Sequence, residues 1–273
     1  SDYCDECGVC GGDGIADGAC DCDGNVLDEC GICGDGSNCI VDIDGNAYQT
    51  ILIGEQLWMA ENLKVTHYNN GDEITHITNN EDWSSYDEGH YGVYDNDPSN
   101  ADIYGNLYNW AVVVDDRGVC PEGFHVPSDA EYTILTDYLG GESVAGGKMK
   151  ERGTIEDGDG LWTSPNTDAT NESGFTALPG GDHEPWGENQ QGGMGYYGSF
   201  WSSAEGNTSG EWEFHSCLML TFDSSLSSWG YHPGQVGMSV RCLQDECTDP
   251  EACNYNSDAT IDDGSCVYLE ENY

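Results

Sequence analysis

Two stretches of this chain concentrate the residue types that do chemistry, and both are rich in aspartate and cysteine. Residues 1–40 hold eight cysteines and ten acidic residues, with no lysine or arginine. Asp21 and Asp23 flank Cys22 and are followed by Asn25, while Asp13, Asp17 and Asp35 lie in glycine-containing turns. Oxygen ligands on alternate residues of a tight Asp/Gly loop can converge on one hard cation, so the pattern points to calcium. Residues 244–273 repeat the theme: Asp249, Asn256, Asp258, Asp262 and Asp263 form a second candidate calcium cluster. Asp-Gly is also simply a turn former. Calcium is preferred because no neighbouring lysine offsets the charge. Asp42, Asp44 and Asn46 have similar spacing, but there a turn is a sufficient explanation.

The cysteines admit two chemistries. Cys7/Cys10 and Cys30/Cys33 are C-x2-C pairs at a spacing that suits zinc. The surrounding Cys4, Cys20, Cys22 and Cys39 favour disulfides instead, as expected of a segment too poor in apolar residues to build a core. At the other end stand Cys247, Cys253 and Cys266, an odd set of which at least one pairs outside its segment. Between them lie Cys120, Cys217 and Cys242, also read as disulfide partners, with Cys217 joined to a terminal segment.

Catalytic patterns are missing. Neither GxSxG nor HExxH occurs, and no two of the seven histidines lie three or four residues apart. His125, between Phe124 and Val126, reads as a satisfied loop histidine. Carboxylates are too abundant for any pair to suggest a glycosidase dyad. The chain is read as a non-enzyme.

Composition sets the remaining limits. Fifty-two acidic residues against six basic ones give a net charge of -46, which excludes nucleic acid as a partner. Self-repulsion on that scale calls for cations or salt. No apolar run approaches the roughly 20 residues of a membrane span. The fourteen cysteines imply an oxidising, extracellular or cell-surface location, and the chain is expected to begin after a removed signal peptide.

Several elements can be placed. Ser128-Asp-Ala-Glu131 is a capping box opening a helix that Gly140-Gly141 terminates. Its expected buried stripe is Ala130, Ile134 and Tyr138, with Leu135 and Leu139 beside it. Trp110–Val114 is a buried strand or short helix, and Asp44-Gly45-Asn46 turns a hairpin. Residues 66–103 read as long surface loops. The glycine- and aromatic-rich stretch around Trp186, Tyr196, Tyr197 and Trp201 is a candidate loop for stacking on sugars or meeting another protein. Asn171-Glu-Ser and Asn207-Thr-Ser are sequons; Asn171 is expected to be buried, and Asn207, in a polar loop, is the better glycan acceptor.

Seven collinear stretches carry a family resemblance: WMAENL at 58–63, YGNLYNW at 104–110, CPEGFHVPSDAEYTIL at 120–135, GGKMK at 146–150, TNESGFTALPGG at 170–181, FWSSAE at 200–205 and SVRC at 239–242. Together they resemble the Fibrobacter succinogenes major paralogous domain. That resemblance implies an α+β, C-type-lectin-like core with long loops, similar also to formylglycine-generating enzymes, in a secreted or surface protein of bacterial origin. No reactive cysteine pair of the formylglycine-generating kind is visible. Glu184-Pro-Trp-Gly-Glu-Asn189 is similar to the calcium and sugar motif of C-type lectins, but Trp186 replaces its asparagine and Glu213-Phe214 replace Asn-Asp after Trp212. The CGVCGGDG-type repeats at the start resemble thrombospondin type 3 calcium repeats, and 247–266 resembles the CTDP…DDGSC modules of marine bacterial surface proteins.

The expected organisation is a small Cys/Asp-rich module at 1–40, the major domain at 41–243 and an acidic Cys module at 244–273. A rigid body with a calcium- and disulfide-stabilised irregular module at each end suits head-to-tail self-association. The expectation is a structural subunit of an extracellular homopolymeric filament. The alternative is a monomeric adhesin that binds glycans.

Overall fold

The computed structural model describes residues 7, 14–16, 18–22, 24–27, 33–34, 39–78, 83, 88–184, 191–209 and 212–245. Of Cys33 and Asn207 it describes the backbone alone. The expectations for Cys4, Cys10, Asp13, Asp17, Asp23, Cys30, Asp35, Trp186, Cys247, Asp249, Cys253, Asn256, Asp258, Asp262, Asp263 and Cys266 lie outside the described residues.

The described chain is α+β. Strands Cys39–Val41 and Ala47–Ile53 form the expected hairpin, and a two-residue turn at Gly54-Glu55 returns the chain as Gln56–Met59. The first turn is organised by Asp42. Its carboxylate accepts from the Asp44 and Asn46 amides at 3.0 and 2.9 Å, from Asn46 Nδ2 at 2.9 Å and from Tyr48 Oη at 2.6 Å. Strand Leu243–Gln244 slots between Gln56–Met59 and Phe124–His125, completing a five-stranded sheet. Tyr48 is buried and Ile40 packs on the same apolar cluster, so this first hairpin belongs to the core.

A second sheet is centred on Trp212–Thr221, which pairs antiparallel with Tyr197–Trp201, Asn207–Ser209 and Ser227–Pro233. Alternation along a strand sends successive side chains to opposite faces. Phe200, Leu218 and Leu220 therefore enter one apolar cluster, and Trp201 and Cys217 enter the other. Along Trp212–Thr221, residues His215–Leu218 are buried on both faces, whereas the flanking strand Ser227–Pro233 is mostly half-exposed.

Helix α1 spans Pro98–Tyr104 and α2 spans Trp110–Val113, the short helix among the two options for that run. Helix α3, Asp129–Tyr138, opens with the expected capping box: Ser128 accepts from the Glu131 amide and Glu131 accepts from the Ser128 amide at 2.7 Å. Gly140 and Gly141 follow with φ of 103° and 94°, and α4 runs over Glu142–Met149. The expected stripe is corrected. Tyr132, Leu135, Thr136 and Leu139 are buried, whereas Ile134 and Tyr138 stand 41% and 65% exposed. Apolar residues lie on both sides of this helix, so periodicity alone could not choose. Docking chose the face whose Tyr132 ring meets Trp58 at 5.3 Å and Trp229 at 6.2 Å.

Residues 66–103 are also more structured than their polarity suggests. Strand Thr75–His76 pairs in parallel with His90–Gly92, and Tyr68, Ile74, Trp83, Tyr91 and Val93 are buried. Their polar neighbours face outward and hide the core signal.

Candidate interaction surface

Several ionisable side chains turn out to be fasteners. Arg241, with no exposed surface, donates to the Met59 carbonyl at 3.2 Å, to Asn62 Oδ1 at 2.6 Å and 3.1 Å, and to the Phe175 carbonyl. Its guanidinium lies 4.4 Å from the Phe175 ring centre. Burial lowers it to about 9, with neutral acceptors around it. Asn62, Phe175 and Arg241 come from three of the seven collinear stretches, so these stretches meet to build the fold. Lys150 likewise donates to the Thr221 and Ser224 carbonyls at 2.9 and 2.8 Å, and burial lowers its ammonium to about 8.

His125 ties the domain's end to α3. Its ring nitrogens lie 2.8 Å from Asp245 Oδ1 and 2.8 Å from Glu131 Oε1. Burial opposes the charged ring, but the two carboxylates outweigh it and raise the imidazole to about 10. Glu131 is held below its ordinary value by the same contacts, against the pull of burial. His125 is satisfied as expected, but on the strand Phe124–His125 rather than in a loop.

Cysteine pairing is partly settled. Cys120 joins Cys242, and Cys7 joins Cys22. Cys20 and Cys39 are also disulfide-bonded. Cys217 is a correction: it is a free, fully buried thiol rather than a disulfide partner. It sits mid-strand on a core face against Gly230, and burial pushes it up to about 12, far from a reactive thiolate. Among the described residues, no three His, Cys, Asp or Glu side chains converge on a metal. Asp21 instead accepts from the Asn25 amide at 3.0 Å and from Asn25 Nδ2 at 2.6 Å.

The aromatic stretch divides. Trp201 is a core residue, fully buried, with Nε1 donating to the Tyr108 carbonyl at 2.8 Å, so it is removed from the candidate loop. Tyr197 is half-buried and donates to Asp182 Oδ1 at 2.9 Å. Burial raises the Asp182 carboxyl to about 6, and nearby Glu184 adds to the rise, while the Tyr197 hydrogen bond opposes it. Among the described aromatics of the stretch, Tyr196 keeps the open position, 51% exposed, with its ring edge-on to Phe222 at 5.3 Å. Ile155, 54% exposed, reaches to within 3.2 Å of where a Cβ on Gly195 would stand. Tyr196 and its half-buried edge-on partner Phe222 form an apolar ledge, with Ile155 approaching the neighbouring Gly195 and the exposed carboxylates Glu156 and Asp157 following Ile155 in the chain. Asn207, expected in a loop, lies on a strand opposite Phe214. Asn171, expected buried, is half-buried, and its side chain bonds Thr176 at 2.9 Å.

Local spacing shows no sign of two tryptophan–histidine stacks. Trp83 stacks on His183 at 4.1 Å and meets His90 edge-on at 4.7 Å. Trp110 stacks on His215, which lies opposite His232 across two strands. Burial depresses all four histidines, His183 to about 4. They pack as neutral aromatics. Contacts between residues a hundred positions apart leave no local spacing to read.

A family model described as the Fibrobacter succinogenes major domain matches residues 51–244. No curated protein and no solved structure matches the chain. With most of its length covered by that model, the chain belongs to the Fibrobacter succinogenes major domain family.

Proposed function

We propose that this chain is a secreted, non-enzymatic structural protein, the subunit of an extracellular filament stabilised by calcium and disulfides and built on a C-type-lectin-like core. The observation that carries this reading is the Tyr196–Phe222 ledge. Exposed apolar surface rimmed by charge marks interaction sites. On a chain of net charge -46, closing that ledge against a second copy brings carboxylates together, so the contact needs a cation. Calcium suits the oxygen-only surroundings, and the acidic terminal segments supply further ligands. The disulfides and the lack of a helix long and apolar enough to cross a membrane among the described residues fit this location.

Negative-stain microscopy of the native protein, with calcium and after EDTA, tests the reading. Filaments that come apart in EDTA are expected, and Tyr196→Asp should prevent them. Filaments indifferent to EDTA would remove calcium from the contact. Single particles under both conditions would sink the filament reading and leave the monomeric glycan-binding adhesin.

A further inference from the structure

An open groove of about 460 Å³ lies between the tip of the Leu52–Leu57 hairpin and helices α3 and α4. Leu52, Ile53, Tyr138 and Leu139 supply its apolar wall, and Lys148 and Glu172 its polar one. Tyr138 is 65% exposed, yet its ring is not loose. Cγ, Cδ2 and Cε2 all lie 3.0–3.3 Å from where a Cβ on Gly54 would stand. Three consecutive ring carbons at nearly equal distance place that point over the ring face rather than beyond its edge. One face of Tyr138 therefore lies flat on the glycine, and the other is open. Gly54 has φ of 67°, a conformation that itself favours glycine, so turn geometry and ring seating depend on the same residue.

In the same groove, Lys148 Nζ and Glu172 Oε1 pair at 2.8 Å, with side chains 34% and 54% exposed. Such a surface pair is weakly held. The ammonium offers three donors and the carboxylate about four acceptor sites, so most of their hydrogen-bonding capacity remains for a ligand. These two are the charged residues lining the groove, and they cancel. The field of a protein at -46 also turns away acidic polymers. The matching ligand is uncharged, with an apolar flat face and hydroxyls on its edge.

We propose that this groove binds a neutral saccharide, one pyranose ring stacking on the open face of Tyr138 while its hydroxyls bridge Lys148 and Glu172. The groove's volume falls in the range of small-ligand sites. The site is separate from the Tyr196 ledge, and neither depends on the other, so a filament subunit and a monomeric adhesin could equally carry it.

Affinity electrophoresis of the full chain through gels containing neutral glucan, xylan or mannan, with polygalacturonate as the acidic control, tests it. Retardation by at least one neutral polymer, and none by polygalacturonate, is expected. Tyr138→Ala should weaken binding about tenfold or more, as loss of one stacked ring implies. Tyr138→Phe should keep it, and Glu172→Gln should reduce it severalfold. Thermal unfolding of each variant checks that the fold survives, as it should for so exposed a ring. Three results would overturn the proposal: no retardation by any neutral polymer, equal retardation of wild type and Tyr138→Ala, or a change in sedimentation of Tyr138→Ala without any saccharide binding, which would make the groove a contact between copies.

Discussion

The Asp245–His125–Glu131 clamp makes a quantitative prediction about pH. The imidazole rises from its ordinary 6.5 to about 10 in the folded protein. At about 1.4 kcal/mol for each tenfold step, the ceiling on its contribution is about 5 kcal/mol. Roughly a quarter of the side chain still faces solvent, at 28% exposure, so screening reduces this to about 2–3 kcal/mol. The sign follows from which state holds the proton. A raised folded value means the clamp's contribution is complete below pH 6.5 and declines as pH climbs towards 10. Urea unfolding of wild type and His125→Gln at pH 6.0 and pH 9.5 measures it. Wild type should lose about 2–3 kcal/mol across that interval, and the variant should be less stable at pH 6.0 yet nearly level with wild type at pH 9.5. Because carboxylates and buried histidines are common to both proteins, only the difference between the two profiles bears on the clamp. Parallel profiles would refute the reasoning, since they would show that His125 carries no extra proton in the fold.

Two further outcomes test the fasteners. Arg241→Met should destabilise the domain by about 3–5 kcal/mol, because it strands buried carbonyls and the Asn62 amide oxygen, and Arg241→Lys should rescue little because three donors on a flexible stem cannot replace a planar fork; a Lys variant within 1 kcal/mol of wild type by urea unfolding would contradict this. The Cys120–Cys242 bridge spans a sequence separation of 122, worth up to about 5 kcal/mol by loop-closure entropy, so Cys120→Ala/Cys242→Ala should lower the unfolding midpoint sharply while Cys217 stays unlabelled by iodoacetamide until the chain unfolds. Native-state labelling of Cys217 would show that burial does not shield it.

Local signals carried as far as local physics reaches. Ser128 and Glu131 sit three residues apart and cap their own helix, Gly140-Gly141 ends it, and Asp42 organises a turn with Asn46, so each was legible as a short string. The seven collinear stretches pointed to the family because each is itself a string. Charge and cysteine content set the expectations for partners and compartment in the same way, being sums over the chain that no folding can change.

What tertiary structure decided lies in pairings over long separations. Helix α3 carries apolar residues on two sides, and only docking against Trp58 and Trp229 buried Tyr132, Leu135 and Leu139 while leaving Tyr138 to solvent. Trp201 looked like part of a ligand loop until strand pairing with Trp212–Thr221 turned it into the core. The stacks of Trp83 on His183 and of Trp110 on His215 each join residues about a hundred positions apart, and Arg241 is satisfied by Asn62 and Phe175 from two other segments. A side chain's type states what it can bond, but the partner it meets is fixed by which faces the packed sheets and helices bring together. For this chain, the seat of Tyr138 on Gly54 is the plainest case: neither residue announces the other across more than eighty positions.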